Sequence, residues 1–284
     1  MPRGWALRSR HPPINIPLVG RIRIAPRYLV FDVIKIIACI MVLIWHTQLW
    51  LTNYDYFIPV IGQVGLGRLA VYTFFITSGA LVEITYKDKP YLRYVFDKVV
   101  RLYPAYWLTL LVYFWFPIAR IGLWNWIGQL LAVNMLLGTP LMNGPAWYLC
   151  TLLIMYMAYP FLRKYNGVGL LFVYVLLREV LILLGLGGVL YYYYSPLATL
   201  SLFLLGAYMA NNKWYPMWQS NKTISFLANL SFYVYIVHWL PIVVVFPYHP
   251  IVYFGLIGVG ALVLMVVDCR IQSVVPQTIS MLTS

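Results

Sequence analysis

The chain has 284 residues, of which 63% are hydrophobic and only 10% charged, with a mean hydropathy of +0.80. Soluble domains run at roughly half apolar and about a quarter charged, so composition excludes one; at roughly 20 residues per span the chain holds many membrane helices and no sizeable soluble domain. The net charge of +13 sits in short segments between apolar runs, where topology signals and lipid-headgroup contacts belong, and that spread argues against nucleic acid as a partner.

The first 28 residues carry Arg3, Arg8, Arg10, Arg21, Arg23 and Arg27 and no acid. This reads as a cytoplasmic tail held against anionic lipid, and the apolar run after it is too long for a secretion signal. A multi-span domain over 29–270 and a short C-terminal tail, 271–284, complete the division. Apolar runs predict spans near 29–51, 62–86, 101–118, 145–163, 167–187, 189–211, 224–246 and 250–268. A ninth run, 121–139, is more polar and contains Asn125 and Asn134. With the tail inside, Arg163, Lys164, Lys213 and Arg270 fall inside only if that run does not cross. The expected fold is therefore an all-α bundle of eight to ten transmembrane helices with a cytoplasmic N-terminus, in which 121–139 is re-entrant or surface-lying. Cys39, Cys150 and Cys269 are far apart and odd in number, so they support neither a disulfide framework nor a zinc site, and no metal is expected.

Several spans carry ionisable groups, which are expensive in lipid. In the first, Asp32, Lys35 and His46 share a face. Lys35 and His46 are eleven residues apart, close to three turns, and Asp32 sits one turn before Lys35 and can pair with it. Residue types alone allow a structural pair with an interfacial histidine, or a polar stripe facing a water-filled pocket. Lys98 and Arg101 stand one turn apart at the entrance of the third span, where Pro104 fits the first turn of a helix. They read either as positive-inside flanks or as a phosphate clamp on the side of Lys35. Arg178 and Glu179 fall near the middle of a span and imply a partner or a water-lined cavity: a structural bridge or an acceptor-side polar wall.

The order of the motifs extends this pattern. Asp32, Lys35 and His46 are followed by Phe74-Phe75-Ile76-Thr77-Ser78-Gly79, then Lys98, Arg101, Pro104 and Tyr106. Trp147-Tyr148-Leu149 and Ser231-Phe232-Tyr233-Val234-Tyr235-Ile236-Val237-His238 come later. In this order the chain resembles membrane acyltransferase family 3, integral proteins that pass acyl groups from cytoplasmic acyl-CoA to hydroxyls, mostly of carbohydrates. It departs in having Lys35 and Lys98 where the family has arginine, a point charge in place of a planar fork, and no glutamate soon after the Trp147 motif.

The resemblance implies an O-acyltransferase of the plasma membrane using acyl-CoA, most simply acetyl-CoA, with a sugar or lipid-linked glycan as acceptor. His46 is the expected base or acyl relay, since imidazole takes up a proton near neutral pH. Lys98 and Arg101 would hold CoA phosphates, while Lys35, fixed by Asp32, would orient the pantetheine or pyrophosphate. His238, Trp147, Tyr148, Arg178, Glu179 and Ser78 are candidates for the substrate wall. Ser78 with Gly79 also suits close helix packing, and Trp147 with Tyr148 also suits an interface anchor. A transporter or flippase with a polar path, and an inactive acyl-CoA-binding relative, are the competing readings.

Overall fold

The computed structural model describes residues 14–16, 20–22, 27–51, 59–61, 64–86, 90–115, 122–137, 141–163, 169, 196–241 and 250–282. No glycine or proline interrupts the first apolar run, and it forms one unbroken helix, α1 (Leu29–Leu51). Two small antiparallel ribbons flank it, β1 (Ile14–Ile16) with β2 (Gly20–Ile22), and β3 (Pro59–Ile61) with β4 (Val64–Gly65). Then come α2 (Leu66–Thr85), α3 (Tyr91–Trp115), α4 (Leu123–Leu131), α5 (Asn134–Leu137), α6 (Ala146–Leu162), α7 (Pro196–Asn211), α8 (Lys222–Val237) and α9 (Pro250–Leu282). Among the described residues, four helical stretches are long and apolar enough to cross a membrane: Leu29–Thr47, Leu66–Thr85, Lys222–Pro241 and Val252–Gln272. The protein is an all-α polytopic membrane protein.

Two helices differ from the sequence reading. α3 begins ten residues before the predicted apolar run, in turns that carry an exposed Arg93–Asp97 pair at 3.4 Å. Pro104 consequently lies inside this helix, not in its first turn. Interior proline is tolerated in membrane helices because neighbouring groups re-satisfy the freed backbone. α9 continues to Leu282, through the segment set apart as a C-terminal tail.

The 121–139 run does not form one spanning helix. α4 has 9 residues, a rise of about 13 Å against a hydrocarbon core of about 30 Å. It ends at Ala132 in the left-handed region (φ 53°), and three side chains of α3 satisfy its last carbonyls. The Tyr106 hydroxyl donates to the Gln129 carbonyl at 2.7 Å, Trp107 Nε1 to Leu130 at 2.8 Å, and the Tyr103 hydroxyl to Leu131 at 2.6 Å. Non-helical backbone at membrane depth requires such internal partners.

α2 and α7 make the closest backbone approach. A Cβ on Gly79 would collide with the Phe203 carbonyl, and one on Gly206 with the Ile76 carbonyl. Reciprocal contacts of this kind are how small residues let membrane helices pack backbone to backbone. Phe31, Ala80 and Ala210 continue the seam, with Ile84 and Tyr215 packed against them.

Bonds between distant segments collect several helix ends at one end of the bundle. Leu29 N donates to the Trp218 carbonyl at 2.9 Å, and Ser220 N to the Arg27 carbonyl at 3.0 Å. Tyr159 of α6 hydrogen-bonds Glu83 near the end of α2. The Gln272 amide of α9 donates to the Arg101 carbonyl of α3 at 3.3 Å. Arg27, Lys35, Lys98 and Arg101 belong to this basic end.

Candidate functional site

His46 stands near the far end of α1, its ring centroid 5.1 Å from that of His238 and 5.2 Å from that of Trp239, edge to face. His238 directly follows α8 and is fully buried. Its Nδ1 lies 2.6 Å from the Tyr235 carbonyl oxygen. A carbonyl only accepts, so Nδ1 carries the proton and Nε2 keeps its lone pair. Among the described residues, His46 Nδ1, His238 Nε2 and Asn143 Oδ1 are buried without a hydrogen-bond partner.

Asn143 belongs to the same neighbourhood. Its amide donates to the Ile236 carbonyl at 3.1 Å, and the next residue, Gly144, abuts the Trp239 ring. Buried polar atoms are ordinarily satisfied. Three open ones around the end of α8 make a spot that a hydroxyl-bearing ligand would complete.

An aromatic and hydroxyl path leads away from this spot. The Tyr235 ring lies 5.6 Å from His238 and 5.5 Å from both Tyr148 and Phe74. The Tyr148 hydroxyl is 3.1 Å from Ser78 Oγ. Tyr156 lies near the same Ser78 and Arg101, and Lys98 Nζ sits 4.8 Å above the Tyr156 ring. The motif residues therefore lie along one route from the basic end to the histidine pair.

At the basic end Lys35 lies within electrostatic reach of two cations, Arg101 and Arg27, and of one acid, Asp32. Asp32, only 2% exposed, does not take Lys35 as its partner. Its Oδ1 lies 3.5 Å from Arg27 Nη2, and its Oδ2 accepts from Ser225 Oγ at 3.0 Å. The tail residue just ahead of α1 outcompetes the neighbour one turn on, because its guanidinium is also gripped by α8.

Trp147 and Tyr148 are core residues rather than interface anchors, packed on Phe75 with centroids 6.4 and 4.8 Å away. They are inward because α6 starts within the bundle, just after the Asn143-Gly144-Pro145 turn. Arg178, Glu179 and most of the arginine-rich tail lie outside the described residues.

A family model for an acyltransferase domain matches residues 28–217, more than half of the chain. The chain belongs to membrane acyltransferase family 3. No curated protein and no solved structure matches it. As a family member the protein is an acyltransferase, and the matched region holds α1 to α7 with His46, Ser78, Lys98, Arg101, Trp147 and Tyr148. α8 and α9 lie beyond the match, so His238 enters the site from outside the family model.

Three residues of the two ends escaped the sequence reading. Arg27 looked like one more basic flank. Asn143 sat between two spans in what read as a joint. Asp268 of α9, fully buried, accepts from the Tyr233 hydroxyl at 2.7 Å and from Gln272 at 2.8 Å. Its signal was a lone acid closing an apolar run.

Proposed function

We propose that this family member moves an acyl group, most simply acetyl, from cytoplasmic acyl-CoA to a hydroxyl of a sugar or lipid-linked glycan. The observation that carries this reading is the His46–His238 pair, with an open nitrogen on each ring, on a route that begins among Lys35, Lys98 and Arg101. The cations are suited to the CoA phosphates, where charge-assisted bonds are strongest. Two of them are lysines, which bind as point charges, so Arg101 supplies the forked contact.

In the reaction, the acceptor hydroxyl gives its proton to His46 Nδ1 as its oxygen attacks the thioester carbonyl carbon. The C–S bond breaks, the thiolate of CoA leaves, and the proton passes from the imidazolium to that thiolate. The oriented Nε2 lone pair of His238 faces the same space and stabilises the imidazolium while it exists. Asn143 and Tyr235 border the acceptor hydroxyl. The basic end faces the cytoplasm of a plasma membrane, with the arginine-rich tail against anionic lipid.

The test is transfer of labelled acetyl from acetyl-CoA by the purified protein in nanodiscs, with carbohydrate and lipid-linked glycan acceptors. His46→Ala should lower turnover by about a hundredfold or more, the usual worth of a positioned base. Turnover that survives the substitution unchanged overturns the role of His46.

A further inference from the structure

Arg27 lies just before the matched region of the chain, and the residues that hold it, Ser225 and Asn229, lie beyond its other end. Both terminal nitrogens of its guanidinium are engaged: Nη1 donates to the Ser225 carbonyl at 2.8 Å, and Nη2 to Asn229 Oδ1 at 2.8 Å while facing Asp32 Oδ1 at 3.5 Å. The backbone on both sides is pinned, because the Arg27 carbonyl accepts from Ser220 N and Leu29 N donates to the Trp218 carbonyl. Its orientation is set by the protein rather than by a ligand.

Its effect falls on Lys35. Asp32 and Lys35 stand three residues apart on one helix, a spacing at which opposite charges pair by default. Here both carboxylate oxygens are committed elsewhere, to Arg27 and to Ser225. Lys35 lies within electrostatic reach of two like charges, Arg27 and Arg101, and shares its one acid, Asp32, with Arg27. Three cations around one carboxylate, half sunk in a membrane bundle, are an unbalanced set that an anion would complete.

We propose that Arg27 is a positioning residue that occupies Asp32, so that the Lys35 ammonium stays free for the anionic part of the acyl donor. The proposal rests on the donor reading given above. Without Arg27 the buried carboxylate is open to Lys35, one turn along the same helix, and the pair that forms removes one donor from the anion site.

The experiment compares wild type, R27Q, R27K, D32N and R27Q/D32N in nanodiscs by two readouts. In acetyl-CoA kinetics, R27Q should raise KM about tenfold, the worth of one lost charge-assisted bond, with kcat within about twofold. R27K should recover part of this, and R27Q/D32N should return KM close to wild type, since no carboxylate remains to capture Lys35. A purely structural Arg27 would lower kcat or folded yield instead, and D32N would not rescue it. The second readout needs no turnover. A hydrophobic carbodiimide condenses a paired amine and carboxylate into an amide with loss of water, and a guanidinium does not react in this way. Mass spectrometry should find the Asp32–Lys35 amide in R27Q and not in wild type. Absence of acetyl-CoA turnover in wild type would defeat the donor reading alone. An R27Q chain that forms no amide, or a KM that D32N fails to restore, overturns the role given to Arg27.

Discussion

Replacing Gly79 with alanine probes the seam between α2 and α7. The new Cβ would stand 2.7 Å from the Phe203 carbonyl carbon and nearer still to its oxygen. Carbon atoms rest about 3.5–4.0 Å apart, so the helices must part by roughly 1 Å, and a gap of that size forfeits about a quarter to a half of each dispersion contact. A seam of roughly 50 atom pairs at about 0.15 kcal/mol each then loses about 2–4 kcal/mol. Two Cα–H···O contacts add about 1 kcal/mol or more to the loss, and the better helix propensity of alanine returns about 1 kcal/mol. The net cost is about 3 kcal/mol, or roughly 6–12 °C in Tm for a chain of this size. The assay is a thermal melt in detergent followed by tryptophan fluorescence, with Gly255→Ala as its control. A Cβ at Gly255 meets nothing within 4 Å, so that variant should melt at or slightly above wild type. Equal melting temperatures for the two variants would refute the backbone-contact seam.

Other substitutions probe the remaining contacts. Tyr106→Phe removes the donor from a buried carbonyl of α4 and should cost about 1–3 kcal/mol. Limited proteolysis should then cut more readily between 123 and 137, and an unchanged digestion pattern would speak against the capping role. Tyr233→Phe leaves Asp268 with Gln272 as its one hydroxyl or amide donor among the described residues. It should destabilise by a similar amount, and Tyr233→Phe with Asp268→Leu should melt higher than Tyr233→Phe alone, because the under-satisfied buried carboxyl is gone. If the double variant melts lower than the single, the bond is not what holds α8 to α9.

Much of this architecture could be read from composition and spacing. The apolar runs located α1, α2, α6, α8 and the start of α9, because an unbroken apolar stretch in lipid has helix as its one inexpensive state. Charge placement set 121–139 apart from the other runs, and the structure divides it into α4 and α5, although nothing local announced that Tyr103, Tyr106 and Trp107 would cap α4. Helical periodicity put Lys35 and His46 on one face of α1, and the order of motifs pointed to the basic end. What periodicity could not supply was pairing between distant segments. Asp32 and Lys35 obey the local rule for an ion pair, yet α8 returns to hold Arg27 in place and reverses the outcome. His46 and His238 met for the same reason, through a helix contact that neither local pattern encodes.

The continuity of α1 has a consequence for the proposed donor. Between Lys35 and His46 there is neither glycine nor proline, so their separation along the axis is held near about 16 Å by helix rise alone. The helix acts as a gauge. On the proposed reaction, a donor held by its phosphates at one end would offer its thioester to the imidazole at the other only when its arm spans that interval. A short thioester lacking the nucleotide would reach only one end, so on that reading the rise of a single helix would set which donors react.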